Sequence, residues 1–115
     1  MGWDVHPESF FQVLMRVGQL GLPILVTENG TSMTDDARRW SFIHRHLQVM
    51  ARAIQAGVRL IGYCYWSLLD NFEWADGYTP RFGLVEMDYA TQQRRIRESA
   101  RRYAEVCRTN HLSLE

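Results

Sequence analysis

Ile24-Leu25-Val26-Thr27-Glu28-Asn29-Gly30 is a short apolar run that ends on one carboxylate and a turn. Pro23 precedes it and Asn29-Gly30 breaks it, so it predicts a strand covered on both faces, as in a parallel sheet. In α/β barrels the chemistry collects at the C-terminal ends of such strands. Glu28 is therefore the first candidate site residue. Taken alone, the stretch equally admits a solvated acid at a loop edge; the flanking sequence decides.

On the N-terminal side, Pro7 suits the first turn of a helix, with His6 before it and Glu8 in that turn. Phe10, Leu14 and Val17, with Phe11 beside them, recur at helical spacing until Gly18 or Gly21. On the C-terminal side, residues 29–34 form a polar loop, and Asp35 and Asp36 place negative charge where a second helix starts. Trp40, Ile43, Leu47, Met50 and Ile54 form its expected inward stripe, and Gly57 its stop. His44 and His46 point to different faces and make a poor metal pair.

Residues 58–66 read as a second strand, with Leu60, Gly62, Cys64 and Trp66 on one face and Ile61, Tyr63 and Tyr65 on the other. In a barrel the small Gly62 and Cys64 would suit a crowded interior, which makes Cys64 a buried, inert thiol. Strand, helix and strand make one βαβ unit of an α/β fold. Residues 67–81 then form a loop too long, too aromatic and too acidic for a mere connection. A short strand is expected within residues 82–89. A last helix is expected over residues 96–108, with Ile96, Ala100, Tyr103 and Val106 or Cys107 inward. Its arginines are matched at i,i+4 by Glu98 with Arg102 and Arg101 with Glu105, as on a solvated helix face rather than an RNA-binding one.

With 115 residues, 46% of them hydrophobic and 23% charged, the chain suits one globular domain with a modest core. A formal net charge of zero argues against a general nucleic-acid or membrane binder. All 13 basic residues are arginine, which removes lysine Schiff-base chemistry. Cys64 and Cys107 have no CxxC spacing, so reduced thiols in a cytoplasmic setting are expected, and no zinc site. No apolar run reaches the ~18 residues of a membrane span, and no signal peptide is expected.

Val26-Thr27-Glu28-Asn29-Gly30, Trp66-Ser67-Leu68-Leu69-Asp70-Asn71-Phe72-Glu73-Trp74 and Arg81-Phe82-Gly83-Leu84-Val85 resemble, in order, the C-terminal part of family 1 glycoside hydrolases, the β-glucosidase family. The flanks Gly2-Trp3-Asp4-Val5-His6-Pro7 and Asp88-Tyr89-Ala90-Thr91-Gln92 fit the same family, so the resemblance covers almost the whole chain. It implies the last quarter of a (β/α)8 barrel: its seventh strand and helix, then its eighth strand and helix. It further implies retaining hydrolysis of terminal β-D-glucosides or oligosaccharides without a cofactor. Glu28 falls on the family's nucleophile, which must be ionised and so needs polar or cationic neighbours. Trp66 falls on the aromatic platform under the sugar, Glu73 on an acceptor for glycon hydroxyls, Trp74 on their border, and Phe82 on the wall near C6. A cis peptide at Trp66-Ser67 is also implied. Glu73-Trp74 argues against the 6-phospho-glycosidase branch, because an acid beside a phosphate is electrostatically wrong.

One departure stands against these matches. A retaining glycosidase needs two carboxyl groups ~5–5.5 Å apart, and the family's acid/base lies in an Asn-Glu-Pro motif that this chain lacks. A whole barrel needs ~250 residues. The chain is thus expected to need the missing N-terminal part of the barrel as its partner. The alternatives are a non-catalytic sugar-binding or barrel-completing chain and an inactive remnant. Two strands with open edges predict that the free chain self-associates or is poorly stable.

Overall fold

The computed structural model describes residues 3–113; Met1 and Gly2 of the lead-in lie outside that range. Helix α1 (Pro7–Gly18) opens on Pro7 and buries Leu14, as its spacing predicts. Val17 is an exception, 41% exposed because nothing among the described residues covers that side of α1. Strand β1 (Ile24–Asn29) follows, then helix α2 (Asp36–Gln55) and strand β2 (Leu60–Tyr65). β1 and β2 pair in parallel, as the βαβ reading requires. A hairpin of β3 (Val85–Met87) and β4 (Arg94–Ile96) leads into helix α3 (Glu98–Thr109).

Both ends of α2 are fastened by local chemistry. Asp35 is the N-cap, its carboxylate accepting from the Ala37 and Arg38 amides at 2.9 and 3.2 Å. At the other end Gly57 takes φ +96°, the Val58 amide reaches back to the Ala53 carbonyl, and the Gly57 amide reaches the Ile54 carbonyl. That is a Schellman stop, and it draws Val58 into the core instead of into β2.

The inward face of α2 differs from the expected stripe. Arg39, Phe42, Ile43, His46, Val49, Met50 and Ala53 are buried, whereas Trp40 and Leu47 are half-buried and Ile54 is 52% exposed. The face is turned because two polar side chains find carbonyl acceptors inside. Arg39 donates to the Met33 and Arg81 carbonyls, and His46 Nδ1 lies 2.7 Å from the Phe42 carbonyl.

Two apolar clusters make the core. Leu14, Val26, Met50, Ala53 and Val58 join α1, β1 and α2, while Phe42, Ile43, Tyr65 and Leu84 receive Ala100 and Tyr103 from α3. All of this cover lies on one face of the two-stranded sheet. On the other face Leu25 is 51% exposed and Cys64 is exposed. The expected burial of Cys64 is therefore not met: its face has no cover among the described residues. Ile96 also departs from expectation, lying in β4 and 58% exposed, because the hairpin ends before α3 begins. The ion pairs on α3 are at i,i+3, Arg101 with Glu98 and Arg108 with Glu105, rather than at i,i+4. The radius of gyration, 15.1 Å, exceeds the ~13 Å of a closed domain of this length. A sheet covered on one side gives that flattened form.

Candidate active site

The pairing of β1 with β2 decides where Glu28 points. Ile24 faces Leu60, Leu25 faces Gly62, Val26 faces Tyr63 and Asn29 faces Tyr65. Between the last two pairs β1 advances three residues and β2 only two, so β1 carries an extra residue at Thr27-Glu28. Strict alternation from the buried Val26 would turn Glu28 toward the helices. The bulge breaks that alternation, and Glu28 is exposed at the end of the strand.

The turn after Glu28 abuts the end of β2. The Trp66 amide donates to the Asn29 carbonyl at 2.9 Å, and the Tyr63 hydroxyl donates to Asn29 Oδ1 at 2.9 Å. Gly30 passes so close that a Cβ there would lie 1.7 Å from the Trp66 carbonyl oxygen. A tight glycine thus brings the carboxylate-bearing strand end against Trp66. The Trp66-Ser67 peptide is cis, as the resemblance implies, and Trp66 is 38% exposed.

Beyond it, residues 67–70 run alongside residues 82–85. The Leu84 amide donates to the Ser67 carbonyl at 2.8 Å, and the Val85 amide to the Leu68 carbonyl at 2.8 Å. The loop between these segments carries the other candidates. Glu73 is half-buried and precedes a 3-10 turn, Trp74–Asp76. Its amide donates to the Gly77 carbonyl at 2.7 Å, which closes the loop tip. Trp74 is 82% exposed with φ +45°. Phe82 stands apart: it is 4% exposed, with the Trp3 ring 6.1 Å away. The structure therefore presents Glu28, Trp66 and Trp74 to solvent and buries Phe82.

Asp70 has partners that its local sequence does not announce. Its side chain is fully buried and accepts from the Gly83 amide at 2.8 Å, the Met87 amide at 3.3 Å, and both Arg97 and Arg81. Burial alone would push its carboxyl up. The Arg97 guanidinium and the Gly83 and Met87 amides outweigh that, so the carboxyl is held below the usual carboxylate range. A carboxylate so gripped has no proton to give.

No cluster of three or more His, Cys, Asp and Glu side chains among the described residues is placed to hold a metal ion. His44 Nε2 lies 2.7 Å from the Ser113 carbonyl, and His46 is occupied inside α2. No helix among the described residues is long and apolar enough to cross a membrane.

The sequence profile of glycosyl hydrolase family 1 matches residues 1–112. The 1,4-beta-D-glucan glucohydrolase of Thermotoga neapolitana is 42% identical over 98% of this chain and 28% of that protein. Beta-glucosidase A of Thermotoga maritima is 41% identical over 97% of the chain and 28% of its own length. Among solved structures, a beta-glycosidase from Pyrococcus horikoshii superposes with a TM-score of 0.95 at 45% identity, over 98% of this chain and 27% of that one. The chain thus spans between a quarter and a third of the length of these relatives.

Proposed function

The chain belongs to glycosyl hydrolase family 1, and on that premise we propose that it is the nucleophile-bearing segment of a retaining β-glucosidase. β1 and β2 stand as the seventh and eighth barrel strands, and α3 is the last helix. The substrate is a terminal β-D-glucoside. Glu28 attacks the anomeric carbon and the aglycone leaves, forming a glycosyl-enzyme ester; water then releases the sugar with net retention. Trp66 offers a flat apolar face to the sugar ring. The Glu73 carboxylate accepts from glycon hydroxyls, a charge-assisted arrangement that separates epimers. Trp74 borders these hydroxyls, and Phe82 backs the end near C6.

The observation that carries this reading is the bulge at Thr27-Glu28. It leaves an exposed acid at the end of a strand covered on one face only, next to an aromatic just past the end of the neighbouring strand. The acid/base carboxyl comes from the rest of the barrel. The uncovered sheet face and the apolar side chains Val13, Leu20 and Ile61, 56%, 70% and 68% exposed, are where that part packs.

Complementation tests the proposal. The chain is mixed with the part of Thermotoga maritima Beta-glucosidase A that it does not match, and an aryl β-glucoside is supplied. Hydrolysis is expected only on mixing, and Glu28→Gln abolishes it. Turnover by this chain alone, or turnover by the mixture that survives Glu28→Gln, refutes it.

A further inference from the structure

We propose that Asp70 is a positioning residue for the sugar site, gripping Arg97 and Arg81 so that the segment after Trp66 and the segment around Phe82 hold one fixed spacing. This rests on the glucosidase reading above. Asp70 Oδ1 accepts from the Gly83 amide at 2.8 Å and from Arg97 at 3.2 Å. Its Oδ2 accepts from Arg97 at 3.0 Å, the Met87 amide at 3.3 Å and Arg81 at 3.4 Å. The Asp70 amide itself donates to the Val85 carbonyl at 3.1 Å. A Cβ on Gly83 would lie 2.2 Å from the Asp70 nitrogen, so the two segments are at closest backbone approach.

From this hub the grip reaches the site along three paths. Asp70 follows the cis peptide by three residues and precedes Glu73 by three, with Asn71 Nδ2 donating to Ser67 Oγ at 3.0 Å. Through the Gly83 amide it holds the residue next to Phe82. Through Arg81 it reaches the loop after Glu28: the Arg81 carbonyl accepts from the Met33 amide at 3.1 Å and from Arg39 at 2.8 Å, and the Arg81 amide donates to Ser32 Oγ at 2.9 Å. Arg97 is the N-cap position immediately before α3, so the helix anchors the whole hub. A two-armed guanidinium on a buried carboxylate defines distance and angle together, which a point charge would not. Side chains that touch the sugar keep their geometry only if such a supporting layer holds them.

A bridge that served folding alone would set how many molecules are competent, not how a competent one binds sugar. The test separates these. In the complemented enzyme, competent sites are counted by trapping with 2-deoxy-2-fluoro-β-glucosyl fluoride; kcat for an aryl β-glucoside is expressed per competent site, and KM, which does not depend on their number, is read directly. Asp70→Asn keeps the shape and removes the charge. It is expected to raise KM about tenfold with a smaller change in kcat per competent site. Arg81→Gln, at a partly exposed arm of the hub, is expected to raise KM about threefold in the same direction and keeps the test open if Asp70→Asn does not fold. Unchanged KM in the variants that fold, with only the count of sites reduced, overturns the proposal. An absence of trapped sites in the wild-type complex overturns the glucosidase reading itself, and this proposal with it.

Discussion

Substituting Gly30 by alanine tests the packing that brings Glu28 to Trp66. The added Cβ would lie 1.7 Å from the Trp66 carbonyl oxygen and 2.8 Å from its carbonyl carbon. Ordinary contact begins at 3.4 Å, so the two backbones must part by about 1.7 Å in an already close-packed region. That separation breaks the 2.9 Å hydrogen bond from the Trp66 amide to Asn29, a loss of about 1 kcal/mol. Overpacking adds about 1–3 kcal/mol. A misplacement near 1 Å between reacting groups lowers rate about a hundredfold, equivalent to about 2.7 kcal/mol of barrier. The assay is aryl β-glucoside hydrolysis by the complemented enzyme, per competent site, with thermal melting alongside. Gly57→Ala is the control: its φ is +96° with no atom within 4 Å of the new Cβ. It should lower stability by about 1 kcal/mol and leave activity per site unchanged. If Gly30→Ala keeps kcat/KM per site within about threefold of wild type, the reasoning about this contact is wrong.

Two further outcomes follow from other parts of the fold. Burial depresses the pKa of His46; the nearby Arg45 adds to this, and the hydrogen bond to the Phe42 carbonyl opposes it without prevailing. As pH falls below ~6.5 the unfolded chain takes up the proton before the folded one, so stability falls through that window by up to about 1.4 kcal/mol per pH unit. His46 should add to the slope of melting of the complemented enzyme between pH 7.5 and 5, and His46→Gln should reduce it; an equal slope in both is the contrary result. Asp36 and Asp70, whose carboxyls are held low, act only below the ordinary carboxylate range and leave this window clear. Cys64 and Cys107 are both exposed in the chain alone. A thiol reagent should label both there and only Cys107 after complementation, because Cys64 then faces the barrel interior; continued labelling of Cys64 contradicts the assembly.

The strand that ends at Glu28 was legible because Pro23 and Asn29-Gly30 punctuate an apolar run, and the α2 stop because Gly57 follows the last helical turn. The direction of Glu28 was not, since a bulge is a property of two paired strands and β2 lies far along the sequence. The inward face of α2 was misread for a related reason. Arg39 and His46 are buried by acceptors on other backbone segments or an earlier turn, and hydrophobic spacing counts neither. The grip on Asp70 has no local signature, because Arg81 and Arg97 lie 11 and 27 residues away. The β3–β4 hairpin escaped because residues 94–96 are all exposed and carry no alternation. What remained hidden was long-range polar pairing; what could be read was local punctuation and the two motifs.

The most direct measurement of the central claim is covalent trapping. The complemented enzyme is incubated with a 2-deoxy-2-fluoro-β-glucoside carrying a good leaving group, digested, and mapped by mass spectrometry. One fluoroglucosyl group on the Glu28 peptide, lost in Glu28→Gln, is the expected result. A label on any other side chain, or steady turnover with no adduct, contradicts the account.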